Sequence, residues 1–229
     1  MNFLEKINQG KRIFVFIGEA GSGKSEIAIN LALLVAETGR NVQFFDMDQT
    51  KPLFRSRELA GLLQANRVLV DTNQQMLDSP TVPNGVFDRI QDEKVITILD
   101  VGGNAGGART LGQLKAAWGK VNSINMVVNT FRPFSSSQSS LIHTLAEIAA
   151  AARVENVSVI SNPNIGEQTT LQDVTDGHRQ LEELLKGSIY GIDLLVVSHG
   201  LVEDVRSQFP DIDIFKITRY MKAPWERRV

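Results

Sequence analysis

The sequence predicts an α/β fold, a mostly parallel twisted sheet with helices on both faces. Three observations carry that expectation. Short runs rich in branched and aromatic residues alternate along the chain with longer segments whose apolar residues recur at helical spacing. Apolar strands alternating with helices belong to a parallel sheet covered on both sides. The first strand passes through a glycine-rich loop directly into a helix, in "KRIFVFIGEAGSGKSEIAINLALLVAETG", residues 11–39.

In chain order, the first strand is Lys11 to Ile17, and the helix behind the loop starts near Lys24 and ends at Gly39. Further strands are expected at Asn41 to Asp46, Val95 to Val101, Ile124 to Thr130, Asn156 to Ser161 and Asp193 to Ser198. Helical patterns occupy "ARTLGQLKAAW", "SSLIHTLAEIAAAAR" and "LQDVTDGHRQLEELLKG". The stretch Asp71 to Phe87 has turn residues and little periodicity, either a partner-binding insertion or a long connection. "SSSQSS", Ser135 to Ser140, is too short for a hinge and reads as a loop and a helix start. With no internal repeat and no long linker, residues 1–229 are expected to form a single domain.

Composition narrows the function. The absence of cysteine excludes disulfides, thiolate metal sites and cysteine-held iron–sulfur clusters. A net charge of -2 exerts no global pull on nucleic acid. The apolar runs are too short to span a bilayer and "MNFLEKINQGKR" lacks the apolar core of a signal peptide, so a cytoplasmic protein is expected. The C-terminal "KITRYMKAPWERRV" interleaves basic and aromatic residues, but Pro224 interrupts any amphipathic helix, which disfavours a DNA- or membrane-surface role.

The loop "GEAGSGKS", Gly18 to Ser25, has the spacing G-x-x-x-x-G-K-S of a P-loop, in the strand-to-helix context that the motif requires. Gly18, Gly21 and Gly23 let the backbone turn tightly and aim amides at phosphate oxygens, with Ser22 and Glu26 completing the candidate nucleotide contacts. Lys24 would reach the β- and γ-phosphates, and Ser25 would ligate magnesium at the positive end of the helix. The expected ligands are therefore a nucleoside triphosphate and Mg2+.

In such a sheet ligands sit beyond the carboxyl ends of the strands. "FFDMDQTKP" places Asp46 and Asp48 at one such end, and "ILDVGGNAGG" places Asp100, Gly102 and Gly103 at another. Asp100 is the favoured partner for the magnesium held by Ser25, although it could instead cap the following turn. The glycines after it could approach a γ-phosphate and move when it leaves, or form a flexible turn.

The glycine loop, the Asp-x-Asp pair and "DVGG" together resemble the MinD, ParA and CooC group of P-loop ATPases, within the SIMIBI class. The resemblance covers about Lys11 to Ser161. It implies that Asp48 orients the attacking water, that Asp46 is associated with magnesium, and that Asn162 in "VISNPN" reads adenine. It also implies a switch that docks on an unidentified protein partner, with an ATP-dependent homodimer as the sandwich form. Family members that sandwich two nucleotides carry a lysine where this chain has Glu19. A carboxylate about 4 Å from a phosphate charge would cost up to ~4 kcal/mol at an effective dielectric near 20, so Glu19 is expected to point away.

Three consequences compete. Another cation, with Arg55 or Arg57 favoured and Lys51 and Arg109 also available, replaces the lysine; or hydrolysis is slow; or the sandwich dimer does not form. A small-molecule kinase using the same loop is the alternative function, with Arg55 and Arg57 holding an acceptor phosphate and only Arg132 available from the overhanging segments. His143, His178 and His199 form no site by spacing and are expected to be structural or solvated.

Overall fold

The structure, a computed structural model, describes residues 2–47, 54–71, 85–103, 105–118, 122–135, 137–154 and 157–221. Helix α1 (Phe3–Asn8) precedes β1 (Ile13–Ile17), α2 (Lys24–Glu37) and β2 (Asn41–Met47). Then come α3 (Phe54–Ala65), β3 (Val68–Asp71), α4 (Val86–Gln91), β4 (Val95–Val101), α5 (Ala105–Trp118) and β5 (Asn122–Val128). The chain continues through α6 (Gln138–Ala152), β6 (Ser158–Ser161), α7 (Leu171–Leu185), β7 (Ile192–Ser198), α8 (Val202–Gln208) and β8 (Ile214–Ile217).

The eight strands form one sheet in the order β3-β2-β4-β1-β5-β6-β7-β8. Every pairing is parallel, so the expected mostly parallel sheet is wholly parallel among the described residues. The central strand explains the arrangement. All five side chains of β1 are buried, and successive ones point to opposite faces. Ile13, Val15 and Ile17 join a cluster with Leu111 and Leu114 of α5 and Leu141, Leu145 and Ile148 of α6. Phe14 and Phe16 join a second cluster with Phe3 of α1 and Ile27, Leu31 and Val35 of α2. At about 1.5–3 kcal/mol per fully buried large apolar side chain, a charge anywhere on β1 would disrupt one of the two layers.

Local signals set several boundaries. Ser137 caps α6 by accepting from the Ser140 amide at 3.2 Å, as expected of a loop that becomes a helix. Thr170 and Asp173 cap α7 reciprocally: Asp173 N donates to Thr170 Oγ1 and Thr170 N donates to Asp173 Oδ2. Strand β5 ends at Val128, two residues before the expected end. Asn129 leaves the ladder because its side-chain oxygen accepts from the Phe131 amide, turning the chain.

Candidate functional site

The central strand has a different neighbour on each side, and the glycine loop emerges between them. β4 lies on one side of β1 and β5 on the other, so strand order reverses at β1, where a crevice opens beyond the strand ends. The loop runs from Gly18 to Gly23 and enters the 14-residue helix α2 at Lys24. The first-turn amides of α2 have no partner within the helix, and its dipole favours an anion there. Lys24 is 3% exposed and Ser25 is 7% exposed. The Oγ atoms of Ser22 and Ser25 are both buried and have no hydrogen-bond partner among the described residues.

Two glycines have steric tasks. Gly23 adopts φ +92, and a Cβ there would collide with Nδ2 of Asn162. Gly103, in the loop after β4, approaches so closely that a Cβ would collide with the Gly18 carbonyl and the backbone of Glu19. The "DVGG" loop therefore packs directly against the start of the phosphate-type loop.

On the β4 side, Asp100 is paired in register with Phe16 of β1 and with Asp46 of β2. Asp100 is 1% exposed and Asp46 is half-buried. Gly102 and Gly103 are buried beside them. Asp48 and Lys51 lie outside the described residues. Arg55 and Arg57 fall on α3, their side chains likewise outside the description. Arg109 is exposed on α5.

On the β5 side a cavity of about 660 Å³ opens, lined by Gly21, Gly23, Lys24 and Ser25 from the loop and helix, and by segments after β5, β6 and β8. Asn162 follows β6 and is 4% exposed; its Nδ2 donates to the Ser22 carbonyl at 2.7 Å. Asn129 follows β5 and donates from Nδ2 to Asn164 O at 2.8 Å and to Gly21 O at 3.4 Å. Arg132 donates from Nε to Gly21 O at 3.2 Å. Glu19 is half-buried, does not line this cavity, and makes no side-chain hydrogen bond or ion pair among the described residues.

Glu26 has an unexpected role. Its carboxylate accepts from the amides of Tyr220 at 2.7 Å and Met221 at 2.9 Å, while burial raises its pKa and those two amides partly offset the rise. One turn later, Asn30 pairs with both main-chain groups of Thr218 at 2.8 Å. The side chain of Glu26 therefore clasps the segment after β8, and any contact it makes to a nucleotide would come from its backbone amide. This clasp was hidden in the sequence, as was the bracing by Asn129; position at the end of an apolar strand was the one signal pointing to Asn129.

The histidines remain dispersed. His143 and His199 are exposed, whereas His178 is 1% exposed, with Nδ1 3.0 Å from Ser161 Oγ and its ring edge-on to Phe209. Among the described residues no group of three or more His, Cys, Asp and Glu could hold a metal, and no helix is long and apolar enough to cross a membrane. A magnesium held by one hydroxyl, a nearby carboxylate, water and phosphate oxygens needs no such cluster, and the buried, unbonded Ser25 Oγ with Asp100 on the adjoining strand fits that donor set.

Residues 13–173 match the family described as "CobQ/CobB/MinD/ParA nucleotide binding domain". No curated protein matches the chain. Among solved structures, FlhF complexed with GTP and magnesium is similar at 16% identity and a TM-score of 0.50, over 80% of this chain and 64% of that one. FtsY from Mycoplasma mycoides gives 18% identity and a TM-score of 0.48 over 79% and 60% of the two chains. The signal recognition particle receptor FtsY from Elizabethkingia anophelis gives 16% and 0.43 over 93% and 59%. The chain thus spans less than two thirds of each of these structures, and the likeness to FlhF is one of fold.

Proposed function

The chain belongs to the CobQ/CobB/MinD/ParA nucleotide-binding domain family of SIMIBI-class P-loop NTPases, and from that premise we propose that it is a magnesium-dependent ATPase, one domain over residues 1–229, that switches conformation to bind and release a protein partner. The observation that carries this reading is the Ser25 hydroxyl: buried in the first turn of α2, without a hydrogen bond among the described residues, and placed where strand order reverses.

In this reading the amides from Gly21 to Ser25 cradle the α- and β-phosphates, and Lys24 neutralises the β- and γ-phosphates. Ser25 and Asp100 would hold magnesium, with Asp46 on the adjoining strand supporting the same region. Bound there, the ion would offset the charge developing on the phosphate oxygens. Asp48 orients the attacking water, a role that comes from the family resemblance. Gly102 and Gly103 couple the state of the γ-phosphate to helix α5, because Gly103 already lies against the glycine loop and Gly102 against Gly107 of α5. Asn162 favours adenine through its carbonyl end: with Nδ2 committed to Ser22, the amide retains acceptor capacity, which suits the exocyclic amine of adenine and opposes the O6 acceptor of guanine.

The test is equilibrium binding of ATP, ADP and GTP with and without magnesium, alongside phosphate release. ATP should bind best with magnesium present. Lys24→Ala should abolish binding, and Asp48→Asn should bind normally but turn over at least about tenfold more slowly. Binding by Lys24→Ala equal to that of the unaltered protein would overturn the reading. Light scattering with a non-hydrolysable ATP analogue then decides whether the switch includes a dimer.

A further inference from the structure

We propose that Arg132 contacts the phosphates of the bound nucleotide and supplies, from within the same chain, the cation that the loop lacks at Glu19. The proposal rests on the nucleotide-binding reading above and adds a residue to it.

Arg132 is held in place from both sides. Its amide donates to Asn129 O at 3.1 Å, and the Ser135 hydroxyl and amide both donate to its carbonyl, at 2.8 and 3.1 Å. The side chain crosses to the glycine loop, where Nε donates to Gly21 O at 3.2 Å. The absence of a side chain at Gly21 makes room for this, since a Cβ there would lie 2.8 Å from Nε and 3.0 Å from Cζ. Only Nε is engaged: among the described residues the two terminal nitrogens make no hydrogen bond and no carboxylate lies within 4 Å. Four N–H donors therefore remain on a planar fork suited to phosphate oxygens.

The surroundings supply the ligand. Arg132 lines the same cavity as Lys24 and Ser25, at the N-terminus of α2. An anion seated on that helix end would bring its oxygens to the edge of the guanidinium. A hydrogen-bonded arginine loses less freedom on meeting a phosphate than a free surface side chain does, because Nε already fixes the plane of the group.

The experiment compares Arg132→Ala and Arg132→Lys with the full unaltered chain, using ATP and ADP with magnesium. Expected for Arg132→Ala are at least about tenfold weaker ATP binding, slower turnover and a shallower salt dependence of affinity, with the melting temperature in the absence of nucleotide preserved. Arg132→Lys should recover part of the affinity, and millimolar guanidinium should partly restore Arg132→Ala. Mixing Arg132→Ala chains with Lys24→Ala chains, which retain Arg132, should not restore turnover, as a cation in cis requires. ATP affinity within twofold of the unaltered chain would overturn the proposal, whatever the turnover. So would a loss equal in both variants and not rescued by guanidinium, which would make Arg132 a brace for Gly21 alone. Restored turnover in that mixture would place the cation in trans and overturn it too. Normal nucleotide binding by Lys24→Ala would instead defeat the underlying reading, a result that is separately visible.

Discussion

Asn30→Ala should release the segment after β8 from the helix that begins the candidate nucleotide site. Asn30 does for Thr218 what a neighbouring strand would: Nδ2 donates to its carbonyl and Oδ1 accepts from its amide, both at 2.8 Å. Alanine removes both bonds at a position only 9% exposed, where water can replace them only in part. Each neutral hydrogen bond contributes about 0.5–1.5 kcal/mol, and incomplete resolvation of the two main-chain groups adds to the loss. Alanine returns roughly half a kcal/mol through its helix propensity, so the net cost is about 2 kcal/mol. For a chain of this size that corresponds to a fall in melting temperature of about 4–8 °C. The assay is thermal unfolding combined with hydrogen exchange at Thr218, Tyr220 and Met221, where exchange should accelerate. Because Arg219 and Met221 line the cavity, ATP affinity should fall as well. A melting temperature within about 1 °C of the unaltered protein, with unchanged exchange at Thr218, would refute the reasoning, since the clasp would then carry no free energy.

Two further outcomes are expected. Burial lowers the pKa of His178 from 6.5 to about 4, so between those values the unfolded chain binds a proton that the folded chain refuses. Stability from this group is therefore complete above pH 6.5 and lost as pH falls toward about 4; the loss is about 2 kcal/mol at pH 5, tempered by Glu182, whose Oε1 lies 3.9 Å from Nε2. Urea melts across that range should show the slope, and His178→Leu should remove it; an unchanged slope in the variant would assign the effect elsewhere. Gly23→Ala should cost about 2–3 kcal/mol without any nucleotide, combining about 1–2 kcal/mol for the left-handed backbone with loss of the Asn162–Ser22 hydrogen bond. A stable variant that merely failed to bind nucleotide would show that Asn162 does not brace the loop.

What the chain states locally, it states clearly. Five buried residues in a row at β1, then glycines, then Lys24 and Ser25 opening an apolar helix, specify a strand, a loop and a helix N-terminus through interactions among near neighbours. The short elements β3, β8, α1, α4 and α8 were missed, since four to seven residues carry too little periodicity to stand apart from loops. The long helices α6 and α7 were placed to within two residues, because each repeats its pattern over several turns and carries its own cap. Register, by contrast, was not legible: that Asp46 and Asp100 stand side by side depends on which strands become neighbours across long crossovers.

The sequence by itself determined the layered α/β class and the glycine loop, because apolar periodicity and backbone freedom act over a few residues. Only the tertiary structure decided that Glu26 and Asn30 clasp the segment after β8, that Asn162 and Asn129 brace the loop, and that Arg132 lies over Gly21. Each of those side chains bonds to a main-chain group, and main-chain groups are the same at every residue. Their partners therefore leave no mark in the sequence, and only the order of strands around β1 brings them within reach.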